Sequence, residues 1–168
     1  EPDSGSDLAS LSTTYRRVGD EYVLSGAKMW ITNAGIAKYF VILATRDKSL
    51  GHRGISAFVL DAEQPGVLVD PPEKKMGLRS SVTTGVTLEE ARVPVENLLG
   101  KEGEGFKIAL ATLDHSRLGI AAQAIGIAQR ALDESLRYAK ERVQFGKPII
   151  QHQAIGFRLA DMDTELEA

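Results

Sequence analysis

The chain has 168 residues, 43% of them hydrophobic, and a formal net charge of −3, enough for one sizeable core or for one domain plus part of another. Such a balance offers no polyanion-binding surface, so nucleic acid is not an expected partner. There is no cysteine, which excludes disulfides, thiolate metal sites and a thiol nucleophile, and no apolar run reaches membrane-spanning length.

The first part of the chain reads as short strands. Leu11 to Val18 and Glu21 to Thr32 are apolar-and-threonine runs separated by the turn pair Gly19-Asp20. Within the second run, Met29 and Ile31 fall on one face, and Lys28, Trp30 and Thr32 fall on the other by strict alternation. Trp30, the only tryptophan, has two readings: a packed core residue, or a flat surface that stacks on a planar ligand beside the Thr32 hydroxyl. Tyr39 to Ala44 is continuous enough to be buried on both faces. Lys48 to Arg53 reads as a loop, Ile55 to Leu60 as a strand and Pro65-Gly66 as a turn. Pro71-Pro72 interrupts pairing. Gly85 to Ala91 is a further strand, ended by Val93-Pro94. Many short strands with turns between them predict an antiparallel barrel or sandwich.

The period then changes. Gly105 to Arg142 lacks proline, and Leu110, Leu113, Arg117, Ile120, Ala124, Ile127 and Ala131 recur at helical spacing. A kink is expected between Asp114 and Gly119, since one helix of that length is unusual. Phe145 to Pro148 makes a tight connection, and a second helix runs from about Ile149 with Ile155, Leu159, Met162 and Leu166 on one stripe. The fold class is therefore α+β: a β-domain over residues 1–100, then two or three long helices of an incomplete four-helix bundle over 101–168. Both ends read as cut from a longer protein.

Several familiar sites are excluded. There is no G-x-S-x-G elbow, no phosphate loop and no G-x-G-x-x-G fingerprint. His52, His115 and His152 have no metal-ligand spacing. Four stretches remain as candidates for ligand chemistry. Glu1 to Asp7 is rich in small residues and hydroxyls. Gly26 to Asn33 carries Trp30 and Thr32. Asp114 and Arg117 are helix neighbours that either pair with each other or, because Arg117 lies on the apolar stripe, meet an anion. Arg142 caps the last carbonyls of its helix or binds a phosphate.

Together these stretches resemble the acyl-CoA dehydrogenase family over essentially the whole chain and in the right order. The matching segments are E-P-x-x-G-S-D (Glu1 to Asp7), G-x-K-M-W-I-T-N (Gly26 to Asn33), K-M-G-L-R-S (Lys75 to Ser80) and V-P-x-E-N-x-L-G (Val93 to Gly100). G-x-G-F-K (Gly103 to Lys107), L-D-x-x-R (Leu113 to Arg117), G-I-A-Q-R-A-L (Gly126 to Leu132) and E-R-x-Q-F-G-K-P (Glu141 to Pro148) follow. H-Q (His152, Gln153) and L-A-D-M (Leu159 to Met162) complete the set.

The resemblance implies FAD as cofactor and α,β-dehydrogenation of an acyl-CoA thioester as the reaction. It implies that Trp30, Ile31 and Thr32 lie along the flavin ring and that Ser6 sits where FAD meets the acyl-CoA. Asp114 and Arg117 then meet the substrate. Arg142, Gln144, Phe145, His152 and Gln153 reach the adenosine-diphosphate part of FAD on a neighbouring subunit. Phe106, Leu110 and Leu113 are candidate lining for the acyl chain. Expected partners are an acyl-CoA, an electron-transfer flavoprotein and further copies in a homotetramer, in a bacterial cytoplasm or, as the second option, a mitochondrial matrix. One departure matters. Where one branch of the family carries its catalytic glutamate just before the arginine, this chain has Ser116. The base is then expected beyond Ala168, as in the branch of straight short- and medium-chain enzymes, and these residues alone are not expected to turn over. The alternatives are a non-catalytic module that binds CoA ligands or mediates assembly, and an acyl-CoA oxidase.

Overall fold

The computed structural model describes residues 1–168 and divides into two compact units, Glu1–Ala111 and Thr112–Ala168. The first unit holds β1 (Thr14–Val18), β2 (Glu21–Thr32), β3 (Tyr39–Thr45), β4 (Ile55–Asp61), β5 (Val67–Val69), β6 (Thr83–Pro94) and β7 (Leu98–Leu99). They form one seven-stranded sheet in the order β5-β6-β2-β1-β3-β4-β7. Pairing is antiparallel except where β1 meets β3, a parallel contact made only at Thr14 and Thr45.

The sheet curls around a single core. Tyr22 and Leu24 of β2, Phe40 and Ile42 of β3, Phe58 and Leu60 of β4, and Val86, Leu88 and Val93 of β6 all belong to one buried cluster. Phe58 sits at its centre, its ring centroid 4.9 Å from that of Tyr15 and 5.0 Å from that of Tyr22, separations at which tilted aromatic pairs attract.

Several sequence expectations need correction here. The first strand begins at Thr14, not Leu11, because the N–H groups of Ser12 and Thr13 donate to the Glu1 carboxylate instead of to a neighbouring strand. The Tyr39-to-Ala44 run is not buried on both faces. Phe40, Ile42 and Ala44 point into the core while Tyr39 and Val41 are exposed, the alternation of a one-sided strand. Lys48–Gly54 is a pair of 3-10 turns rather than an irregular loop, started by the Asp47 side chain accepting from Ser49 N at 2.8 Å.

A continuous helix α1 spans Gly105–Glu141. The break expected between Asp114 and Gly119 does not occur. The segment contains no proline, and an interior glycine costs a helix only about 1 kcal/mol. Beyond α1 the second unit contains the short hairpin β8 (Val143–Gln144) and β9 (Lys147–Pro148), a 3-10 turn at Ile149–Gln151, and helix α2 (Gln153–Glu167). The two helices meet through Leu132 and Ala139 of α1 and Leu159 of α2, with Leu136, Met162 and Leu166 packed against them. The apolar positions Ile120 and Ile127 remain exposed. No helix is long and apolar enough to cross a membrane.

Candidate functional site

In the first unit, the candidate residues are organised by an irregularity in β2. Lys28 pairs with Val86 and Ile31 with Thr84, so Met29 and Trp30 together face the single residue between them on β6. This β-bulge adds one residue and reverses the alternation beyond it. Lys28 therefore shares its face with Ile31, which packs against the core, and not with Trp30 and Thr32 as strict alternation predicts. Trp30 takes φ 61°, a left-handed conformation rarely adopted by a bulky side chain, and is 63% exposed. Its reading as a core residue is overturned. Thr32 is exposed beyond it.

Lys28 goes inward. Its ammonium donates to Glu1 Oε1 at 2.5 Å and to Leu43 O at 2.7 Å, and the Lys28 and Glu1 side chains are only 11% and 6% exposed. The Glu1 carboxylate also accepts the Thr13 hydroxyl at 2.7 Å. Burial alone would raise the Glu1 carboxyl. The hydrogen bonds from Lys28, Ser12 N–H and the Thr13 hydroxyl outweigh it and hold the group down from 4.5 to about 2. Burial pushes the Lys28 ammonium below the ordinary lysine range, with Glu1 pulling the other way. The loop that starts at Glu1 is fastened by buried Ser4, whose hydroxyl donates to Asp7 O at 2.8 Å, and Ser6 is left exposed on it. Sequence reasoning missed the ion pair. Its one signal was a lysine standing inside a strand otherwise made of apolar and small residues.

In the second unit, Arg117 and Asp114 pair at 3.9 Å, with the Arg117 side chain 72% exposed. The buried arginine expected from the apolar stripe is therefore not observed; that stretch of α1 faces solvent here. Ser116 Oγ donates to Leu113 O at 3.2 Å, a local helix bond, and a neutral alcohol does not replace a carboxylate as general base. Leu110 and Leu113 are exposed and Phe106 half-buried.

The β8–β9 hairpin gathers a second group. Its two turn residues, Phe145 at φ 50° and Gly146 at φ 76°, have the paired positive φ of a tight two-residue connection. Gly146 adopts this freely, and Phe145 does not. Phe145 is 94% exposed and meets the His152 ring edge-on at 5.9 Å. His152 Nε2–H donates to Gln144 O at 3.3 Å. Arg142 closes the helix end, its N–H on Tyr138 O and its own carbonyl accepting from Ile149 N, and its side chain is exposed. Gln153 opens α2. An arginine, an amide and an aromatic held in a strained turn have the chemistry of a nucleotide contact. Of the five residues expected to act together here, Gln144, Phe145 and His152 touch directly.

A family model described as the acyl-CoA dehydrogenase middle domain matches residues 1–91, and one described as the acyl-CoA dehydrogenase C-terminal domain matches residues 103–168. Among curated relatives, the caffeyl-CoA reductase-Etf complex subunit CarC of Acetobacterium woodii is 51% identical over all of this chain and 44% of its own length. The short-chain specific acyl-CoA dehydrogenase, mitochondrial, of Bos taurus is 49% identical over all of this chain and 41% of its own. The solved structure of butyryl-CoA dehydrogenase from Megasphaera elsdenii matches with a TM-score of 0.95 at 46% identity, over 99% of this chain and 44% of that one. The chain thus spans less than half the length of the curated relatives it matches. These relatives include bacterial and mitochondrial proteins.

Proposed function

Because the chain belongs to the acyl-CoA dehydrogenase family, we propose that it forms part of a flavin-dependent enzyme that introduces an α,β double bond into an acyl-CoA thioester. The observation that carries this reading is Trp30, an exposed indole turned outward by a bulge at a strained backbone angle. Strain of that kind is retained where a site requires it, and a flat exposed aromatic suits the isoalloxazine ring of FAD.

Trp30, Ile31 and Thr32 would hold the flavin ring, the Thr32 hydroxyl offering it a hydrogen bond, and Ser6 would serve both FAD and the acyl-CoA. The chemistry FAD would supply when bound is that of a hydride acceptor for the substrate β-carbon. The chain's own residues bind and orient. Asp114 and Arg117 give up part of their weak mutual pairing to meet the acyl-CoA. Arg142 and Gln144, with Phe145, His152 and Gln153, hold the adenosine-diphosphate end of FAD in a neighbouring subunit of a homotetramer. The exposed cation, the amide and the strained aromatic fit that group. The α-proton is taken by a glutamate outside these residues, in keeping with a serine rather than a carboxylate at position 116. Residues 1–100 and 101–168 act as the middle domain and the opening of the helical domain. An electron-transfer flavoprotein takes the electrons, a reading favoured by the Etf-complex subunit among the relatives, and a bacterial cytoplasm is the compartment.

The test is a visible spectrum of the full-length protein. Flavin absorbance that bleaches on anaerobic addition of butyryl-CoA is expected. A colourless protein sinks the flavin reading. A coloured protein that does not bleach with butyryl-CoA or longer acyl-CoAs favours the non-catalytic module. Rapid reoxidation by oxygen identifies an oxidase.

A further inference from the structure

The sheet of the first unit is splayed next to the bulge. β2 pairs with β1 only along Glu21–Ser25, and β3 meets β1 only at Thr45. Past those points no strand lies between the second half of β2 and the first half of β3. A cavity of about 390 Å³ occupies the gap, lined in part by Glu1, Leu8, Leu11, Lys28, Thr32 and Val41.

One ion pair crosses it. From β2, Lys28 reaches Leu43 O on β3 and Glu1 Oε1 on the N-terminal loop, and Glu1 in turn holds the N–H groups of Ser12 and Thr13 and the Thr13 hydroxyl. Thr13 lies against Gly26 so closely that a Cβ on Gly26 would come within 2.5 Å of its hydroxyl. Four segments are joined at one point. The pair also sets a conflict that the bulge resolves. In an unbroken strand Lys28 and Trp30 would share a face, so a buried ammonium would bring a buried indole. The extra residue lets Lys28 stay inside while Trp30 turns out.

We propose that the Glu1–Lys28 ion pair is the positioning element of the first unit's site. It locks the bulge that presents Trp30 and Thr32, and it ties the loop carrying Ser6 to the same strand. Breaking one half of a buried pair leaves an uncompensated charge, so a single substitution disturbs the geometry more than the loss of one contact. The flavin-related part of this role rests on the reading given under Proposed function; the local geometry does not.

Trp30 is the sole tryptophan of this chain and reports on the bulge directly. The first measurement is its emission maximum and acrylamide quenching in the 168-residue chain carrying Lys28→Met, or the milder Glu1→Gln, at neutral pH with the fold verified by circular dichroism. Both variants are expected to shift the emission and change the quenching constant. Val93→Ala, which opens a cavity on β6 away from the bulge, is expected to lower stability and leave native-state Trp30 unchanged. The second measurement is flavin affinity in the full-length protein, where Glu1→Gln is expected to weaken binding about tenfold and Val93→Ala is not. Unchanged Trp30 signals in both pair variants overturn the proposal, as does an altered Trp30 with undiminished flavin affinity. If the unmodified full-length protein binds no flavin, the flavin reading fails by itself, and the Trp30 signals alone then decide whether the pair sets the bulge.

Discussion

Lys28 and Trp30 stand two positions apart and do opposite things, one buried against a carboxylate and the other 63% exposed. That separation leads to a stability prediction. An exposed side chain away from caps and networks contributes little, so Trp30→Ala is expected to change the unfolding free energy of this chain by no more than about 0.5 kcal/mol in urea titration. The same substitution in the full-length protein is expected to lose flavin affinity or shift the flavin spectrum. A loss of several kcal/mol in the short chain would restore the core reading of the tryptophan. Trp30 and Phe145 share an unusual combination: both are exposed aromatics held at positive φ. Neither backbone angle was legible in the sequence. A β-bulge follows from a burial conflict that only the partner of Lys28 reveals, and that partner is 27 residues away. The turn at Phe145 was closer to legible, since Gly146 marks a tight connection.

Among the elements, the strands and helices followed the residue periodicity closely, and misreadings fell where one face lacks a neighbour. β3 has apolar residues on both faces, yet only Phe40, Ile42 and Ala44 are covered. Likewise the stripe of α1 through Ile120 and Ile127 is exposed, and the buried contact with α2 uses Leu132 and Ala139. Hydrophobicity in a sequence records what must be covered, not by what. Leu132→Ala is expected to cost about 2–5 kcal/mol, because the side chain is buried between the two helices and cannot be replaced by collapse. Thermal melting at 222 nm measures it. A Cβ added at Gly119 would enter open space, with nothing within 4 Å. Gly119→Ala is therefore expected to stabilise this chain by about 0.5–1 kcal/mol through helix propensity alone. If the same change weakens the full-length protein, another helix approaches α1 at that glycine.

For the whole molecule, two cores rather than one govern the response to conditions. The cluster around Phe58 and the cluster around Leu132 are separate, and the buried ion pair belongs to the first. Acid should therefore act unevenly. The Glu1 carboxyl is held down from 4.5 to about 2 in the folded chain. A depressed carboxylate contributes stability that is fully present above its unfolded value and is lost as pH falls through its folded value. The first unit is thus expected to lose stability between about pH 4.5 and pH 2. Glu134, in the second unit, is also held low by Arg137 and Arg130, but its side chain is 42% exposed and its arginine partners are more exposed still, so its pairs are of the solvent-screened kind that contribute little. Trp30 emission, reporting on the first unit, should therefore change at a higher pH than the helical signal at 222 nm, most of which comes from α1 and α2. Glu1→Gln removes the titrating group, so subtracting its acid profile from that of the unmodified chain isolates the pair. The difference should be flat above pH 4.5 and fall towards zero near pH 2. A difference that persists undiminished at pH 2 would mean that the Glu1 carboxylate is not what the first unit loses on acidification.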